Sequence, residues 1–496
     1  MTLRPFFESP GTSESLELRL LLISYHFAPA QTAGALRWEK FCHFASERGW
    51  AMDVVTLDPS SLSVLDTSRL TTLPAGIRVY GIEDPLLPVE RFERSVWRGY
   101  RRFRPARATA GSRSSLTAAR ANGSAASTSR PLSLAQAEIR WTLQTLPDSL
   151  RRAYYAWLDY ARQGRWARTA ADIALQLSRS RRYAAVISCG PPHMAHEAGR
   201  RVAKVTGAPL VMDLRDPWSL VQRLPEAIAS PAWLALAARY ERQTIASAAL
   251  VVTNTEPARA ALQARYPEAR SRIIAVTNGY DEDALHQSRH GRRFTIAYAG
   301  AMYLDRDPRV LFRAAAQVVR ELALRPSDFA IQLMGDVETF DGTPTVVIAA
   351  EEGLEGFVGL RPLGTRREAS EFLAEASLLL SLPQDSDMAI PSKIFEYMQY
   401  DAWVLALADR DSATESLLRG SDADVVASRD VDGLVAALRK RYQQYACGER
   451  PKKLATDTRF SRREQARRLF DAIEACLARH ASPRSGGVRL SPAITP

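Results

Sequence analysis

Short aliphatic runs of strand length recur along the chain, separated by stretches of helical period, and this alternation predicts an α/β protein. Residues 18–24 read as a buried strand that ends at Tyr25-His26-Phe27-Ala28-Pro29. A small-residue loop over 30–37 then enters a helix over 38–48, which is how a βαβ unit begins. Further strands are predicted at 52–57, 78–82, 183–188, 209–212, 248–253 and 272–276. The pattern starts again at 294–299, with a helix from Arg309 and strands at 330–334, 345–348, 357–359, 378–382, 403–407 and 424–427. Helices are expected over 368–376, 431–445 and 461–479. These amount to two consecutive sets of about six strands each, whereas residues 1–16 and 481–496 read as disordered ends.

Between the strands at 78–82 and 183–188 the pattern stops. Residues 104–130 are Ala, Ser, Thr, Gly and Arg without period, predicting a disordered insertion within about 91–182. It is followed by helical stretches over 134–146 and 149–178, the second rich in aromatics.

One stretch of the second set concentrates chemistry: Ile390-Pro391-Ser392-Lys393-Ile394-Phe395-Glu396-Tyr397-Met398. Proline suits the start of a helix; Ile394, Phe395 and Met398 mark its apolar face, and Lys393 and Glu396, three apart, share a polar one. A first turn from Ser392 offers free N–H groups and the positive end of the helix dipole, which attracts anions. A nucleoside diphosphate fits, with its phosphates on the N–H groups and Lys393 and a sugar hydroxyl on Glu396. The alternative is an amphipathic helix with a solvated Lys and Glu. Only six of the 66 basic residues are lysine, so a lysine here points to a compact charge where an arginine would not serve. Gly300 and Arg306 follow the strand at 294–299, supplying close backbone approach and a positive fork. Gly34, His193, Arg215 and Asp216 follow strands of the first set, where open α/β sheets bind ligands.

Together with Gly190-Pro191-Pro192-His193 and Asp213-Leu214-Arg215-Asp216-Pro217-Trp218, the stretch resembles the retaining glycosyltransferases of family 4. The resemblance covers most of 18–480 and implies the GT-B fold, two Rossmann-like domains facing across a cleft. It places an acceptor-side domain at 17–287, a hinge near 282–292, a nucleotide-sugar domain at 288–458 and a crossover helix at 459–480. It further implies that Lys393 and Arg306 hold the donor diphosphate and Glu396 the ribose, with no metal and no cofactor beyond the nucleotide-sugar donor. A glycan or lipid-linked acceptor and a place in bacterial cell-envelope or exopolysaccharide synthesis follow in the same way. The chain departs from the family at four points. The first loop keeps only Gly34; Arg215 stands where a histidine is usual; Asp401 replaces a helix-ending glycine; and Met388 occupies the place of a first glutamate. Asp387 is the favoured substitute to hold the sugar and Asp385 the second choice. A nucleotide-sugar epimerase of similar fold and a catalytically silent scaffold are the competing functions.

With 496 residues, 46% hydrophobic and 24% charged, the chain has length and core for two domains. No run approaches the length of a membrane span and no signal peptide is evident. Four scattered cysteines fit a reducing cytoplasm. His193 and His196 lack a third ligand, so no metal site is expected. The net charge of +11 is regional, since 91–182 holds 19 arginines against five acidic residues. Arginines mixed with Trp141, Tyr154, Tyr155, Trp157, Tyr160 and Trp166 suit an anionic membrane surface on the cytoplasmic side, against the alternative that these aromatics pack on the domain. No nucleic-acid motif accompanies them, and nucleic acid is not an expected partner.

Overall fold

The computed structural model describes residues 3–10, 18–62, 64–84, 87, 147–282, 291–383, 386–456 and 458–481. The expected insertion up to residue 146, most of the hinge, Asp385 and the tail beyond 481 lie outside them.

In the first half, β1 (Phe7–Glu8), β2 (Leu18–Ser24), β3 (Trp50–Leu57), β4 (Ile77–Ile82), β5 (Ala185–Gly190), β6 (Leu210–Leu214), β7 (Leu250–Thr253) and β8 (Ile273–Ala275) form one sheet in the order β1-β4-β3-β2-β5-β6-β7-β8. All pairs are parallel except β1 with β4. Strands covered on both faces read as unbroken aliphatic runs, which is why every residue of β3 is buried. Alternate residues point to opposite faces. Leu21, Ile23 and Val55 meet the helices Asp148–Ser178 and Met194–Thr206 on one side. Leu20, Leu22 and Val54 meet the helix Arg462–Ala481, through Leu469, Phe470 and Ile473, on the other. The chain's last described helix thus returns to the first sheet, where Arg48 pairs with Asp471 at 2.7 Å and Glu474 at 2.8 Å.

The second half holds β9 (Phe294–Ala301), β10 (Phe329–Asp336), a small hairpin of β11 (Thr339–Phe340) and β12 (Thr343–Pro344), β13 (Val358–Arg361), β14 (Leu378–Ser381), β15 (Trp403–Leu407) and β16 (Asp424–Val426). Six of them form an all-parallel sheet in the order β13-β10-β9-β14-β15-β16. Strand order reverses between β2 and β5 in one sheet and between β9 and β14 in the other. Beyond the carboxyl ends of such strands lies the crevice where open α/β sheets bind ligands.

Several expectations are corrected. The first sheet has eight strands where seven are predicted along 18–276, because Phe7 and Glu8, expected to be disordered, add an edge strand whose Glu8 pairs with Arg78 at 2.8 Å. Residues 345–348, read as a strand from Thr-Val-Val-Ile, lie in the helix Thr345–Glu351. Thr345, Ile348 and Ala349 are buried there while Val346 and Val347 face solvent, a helical spacing that overrides β-branched propensity. The first helix starts at Ala33, so Arg37 is helical and not in the loop. The helix Ser392–Tyr397 ends without a left-handed residue at Asp401; instead the Gln399 amide donates to the Asp281 carbonyl. In the helix Asp148–Ser178, Tyr160 and Trp166 are core residues, and Leu150 and Trp157 are the large apolar side chains that face solvent. Trp141 lies outside the described residues. Among the described residues no helix is long and apolar enough to cross a membrane.

Candidate active site

At the carboxyl end of β9, Gly300 has φ +154° and Gly335, its neighbour on β10, φ +121°. A Cβ at Gly335 would stand 2.3 Å from the Gly300 carbonyl oxygen, so neither strand end tolerates a side chain. The space above Gly300 is filled by Lys393. Its Nζ donates to the Ala299 carbonyl at 2.9 Å and lies 3.9 Å from the centroid of the Tyr298 ring. Lys393 is held there because Ile394 and Phe395 are buried in a cluster with Met398, Tyr280 and Ala406, as the apolar spacing predicts. Among the described residues no carboxylate pairs with Lys393. Burial, then the nearby Arg306, holds its pKa well below the ordinary lysine value, with Glu396 opposing. Arg306 comes back over the same strand end, its guanidinium 4.1 Å from the Tyr303 ring centroid and 3.4 Å from the Ala301 carbonyl oxygen.

Ser392 opens the helix, half-buried, and that helix is only six residues long. Glu396 faces Arg366 at 3.2 Å across the strand ends. Asp387 is exposed at the cleft and meets the first half of the chain: its N–H donates to Gln222 Oε1 at 2.6 Å, and Gln222 Nε2 donates to its Oδ2 at 3.1 Å.

The opposite wall collects the other predicted residues. Arg215 donates from Nε to the Gly190 carbonyl at 3.2 Å and from Nη2 to the Pro191 carbonyl at 2.5 Å. This lays its guanidinium over Gly34, where a Cβ would fall 2.1 Å from Nη1. Gly34, expected in the first loop, lies in the first turn of the helix that starts at Ala33, and its lack of a side chain is explained by Arg215. His193 is buried and stacks on Trp218 with centroids 5.0 Å apart, and Ser188 Oγ lies 3.0 Å from His196 Nδ1. Both imidazoles are neutral at pH 7: burial, then His196 and Arg215, holds His193 well below its ordinary value, and burial lowers His196 to about 3. Asp216 is exposed at the cleft, and among the described residues none hydrogen-bonds its side chain. A cavity there is lined by Arg215, Asp216, Asn254 and Thr255 from one half and Met388 from the other. The described residues contain no cluster of His, Cys, Asp and Glu able to hold a metal.

Sequence reasoning missed Arg37. It is buried and makes a two-pronged pair with Asp213, from Nε to Oδ2 at 3.0 Å and from Nη2 to Oδ1 at 3.1 Å, while Trp38 Nε1 donates to Oδ2 at 2.7 Å. The same guanidinium reaches the Val276 carbonyl at 2.9 Å and Asn278 Oδ1 at 3.2 Å, fastening the first helix to the strand ends beneath Arg215 and Asp216. The signal was an aspartate closing the apolar strand β6, since a buried carboxylate requires a partner.

Sheets of this order, facing across a cleft with a returning C-terminal helix, define the GT-B fold, and solved structures agree. A glycosyltransferase from Rickettsia africae is similar with TM-score 0.54 at 11% identity, covering 93% of this chain and 98% of that one. A trehalose 6-phosphate synthase from Burkholderia multivorans gives 0.56 at 13%, covering 95% and 100%. The Anabaena protein HepE, solved with UDP-glucose, gives 0.53 at 12%, covering 92% and 100%. No family model matches the sequence, and no curated protein does.

Proposed function

We propose that the protein is a family 4 type glycosyltransferase that moves a sugar from a nucleotide diphosphate to an acceptor with retention of configuration. The observation that carries this is Lys393: a basic group set under Arg306 at a strand-order reversal, depressed in pKa, and without a carboxylate partner among the described residues. Such a site asks for an anion with more than one charge. A diphosphate there would receive Lys393 and Arg306, and both would stabilise the charge that grows on it as the sugar leaves. Glu396 would take the ribose, with Arg366 moving aside, and Asp387 the transferred sugar. The departing phosphate oxygen takes the acceptor's proton, so the positive side chains serve in place of a metal and no protein base is needed. Arg215 and Asp216 would line the acceptor side, backed by Gly34 and His193, and the Asp216 carboxylate would accept from a hydroxyl.

HepE in complex with UDP-glucose and a starch synthase bound to ADP and acarbose support a nucleotide-sugar donor by analogy of fold. A glycan or lipid-linked acceptor in bacterial envelope or exopolysaccharide synthesis suits a cytoplasmic enzyme held at the inner membrane face by its arginines. The test is incubation of the pure protein with UDP-, ADP-, GDP- and dTDP-sugars, with and without lipid-linked acceptors, following nucleotide release. Release that depends on acceptor supports transfer. Conversion of the donor without acceptor marks an epimerase, and no turnover of any donor marks a scaffold.

A further inference from the structure

The loop after β6 reaches across the cleft with two adjacent side chains. Gln222 meets Asp387, and Arg223 pairs with Asp305, the residue before Arg306. Nearby, Thr255 Oγ1 donates to the Met388 carbonyl at 2.5 Å. The loop is anchored from below: the carboxylate of Glu241, fully buried, accepts from Ser219 N–H at 2.9 Å, Ser219 Oγ at 2.6 Å and the Tyr266 hydroxyl at 2.9 Å. Trp218, buried and stacked on His193, fixes its start. Gln222 is thus presented to Asp387 by a rigid support.

The pairing is reciprocal. The Gln222 carboxamide accepts from the Asp387 N–H and donates to the Asp387 carboxylate. A sugar hydroxyl has the same two capacities on a single atom, accepting from an N–H while donating to a carboxylate. We propose that Gln222 is a specificity gate: its carboxamide occupies the hydroxyl place on Asp387 until the donor sugar displaces it. This rests on the donor-site reading above. It follows that only a sugar whose hydroxyl can make both bonds displaces the amide at no loss, so the gate discriminates against donors in which that hydroxyl is absent or inverted. It also follows that a bare nucleoside diphosphate, having no sugar, binds with Gln222 still in place.

The test compares wild type with Gln222→Ala by calorimetry against UDP-glucose and UDP, ADP-glucose and ADP, and GDP-mannose and GDP. Two exposed hydrogen bonds are broken when the sugar enters, so Gln222→Ala should bind its sugar donor roughly three- to tenfold more tightly, with the affinity for the matching diphosphate unchanged. Arg223→Ala, which loosens the same loop without freeing Asp387, should change donor and diphosphate affinity by one common factor. Hydrogen exchange at the Asp387 amide provides a readout that needs no ligand, and it should speed up in Gln222→Ala. Equal or weaker donor binding in Gln222→Ala, or an unchanged Asp387 amide, overturns the gate while leaving the donor site standing. If wild type binds none of the diphosphates or donors, the donor site falls and the gate with it.

Discussion

A β-carbon on Gly300 would stand 2.5 Å from Lys393 Nζ, so the glycine of one strand end and the lysine of the facing helix form a single device. Gly300→Ala must push the ammonium off the Ala299 carbonyl, and φ +154° adds backbone strain for any other residue. The expected outcome is a variant that folds with a modest loss of stability, about 1–3 kcal/mol, and loses turnover nearly as completely as a lysine deletion. Urea unfolding and nucleotide release measured on one preparation check both halves.

The depressed pKa of Lys393 gives a pH signature. Unliganded, the group releases its proton below the ordinary lysine value of about 10.4, because burial and Arg306 disfavour the charged form. A bound diphosphate favours the charged form and raises that pKa again. Binding therefore takes up protons wherever the pH lies between the free and the bound pKa of Lys393, and affinity falls as pH rises through that interval. Calorimetry in two buffers of different ionisation enthalpy reads the uptake directly. Lys393→Arg should abolish it, since a guanidinium does not titrate there.

The buried Arg37–Asp213 pair is predicted to be structural. Asp213→Ala leaves a buried guanidinium without its counter-charge and should cost about 3–5 kcal/mol, while Arg37→Met with Asp213→Leu should recover most of the loss. Denaturant midpoints of wild type and the two variants check this, read at a probe in the first half of the chain.

Clustered arginines around 91–182, with Leu150 and Trp157 exposed on the N-terminal half of the helix Asp148–Ser178, predict binding to anionic vesicles. The full chain should sediment with them at low salt and come off near 1 M, where the Debye length is ~3 Å. Equal binding to neutral vesicles would count against the electrostatic part.

What the sequence made legible was local. Runs such as Leu20-Leu21-Leu22-Ile23 announce buried parallel strands by themselves, and the spacing of Ile394, Phe395 and Met398 correctly sets which face of their helix is buried. Glycine after an apolar strand pointed to Gly300. What stayed hidden depends on distance along the chain. Arg37 finds Asp213 across 176 residues and Gln222 finds Asp387 across 165, and no periodicity carries such pairings. Thr345-Val346-Val347-Ile348 misled because β-branched residues usually mark strands, whereas here burial of Ile348 and Ala349 on one side decides for helix.

The central claim is that Lys393 and Arg306 hold a nucleoside diphosphate as it leaves. Turnover of the best donor found in the panel, measured for wild type, Lys393→Ala and Arg306→Ala, tests it most directly. Removing a charged donor from a leaving group costs ~3–4 kcal/mol, so each variant should keep its fold by circular dichroism and lose roughly a few hundredfold in rate. Two well-folded variants with near-normal turnover would contradict the account.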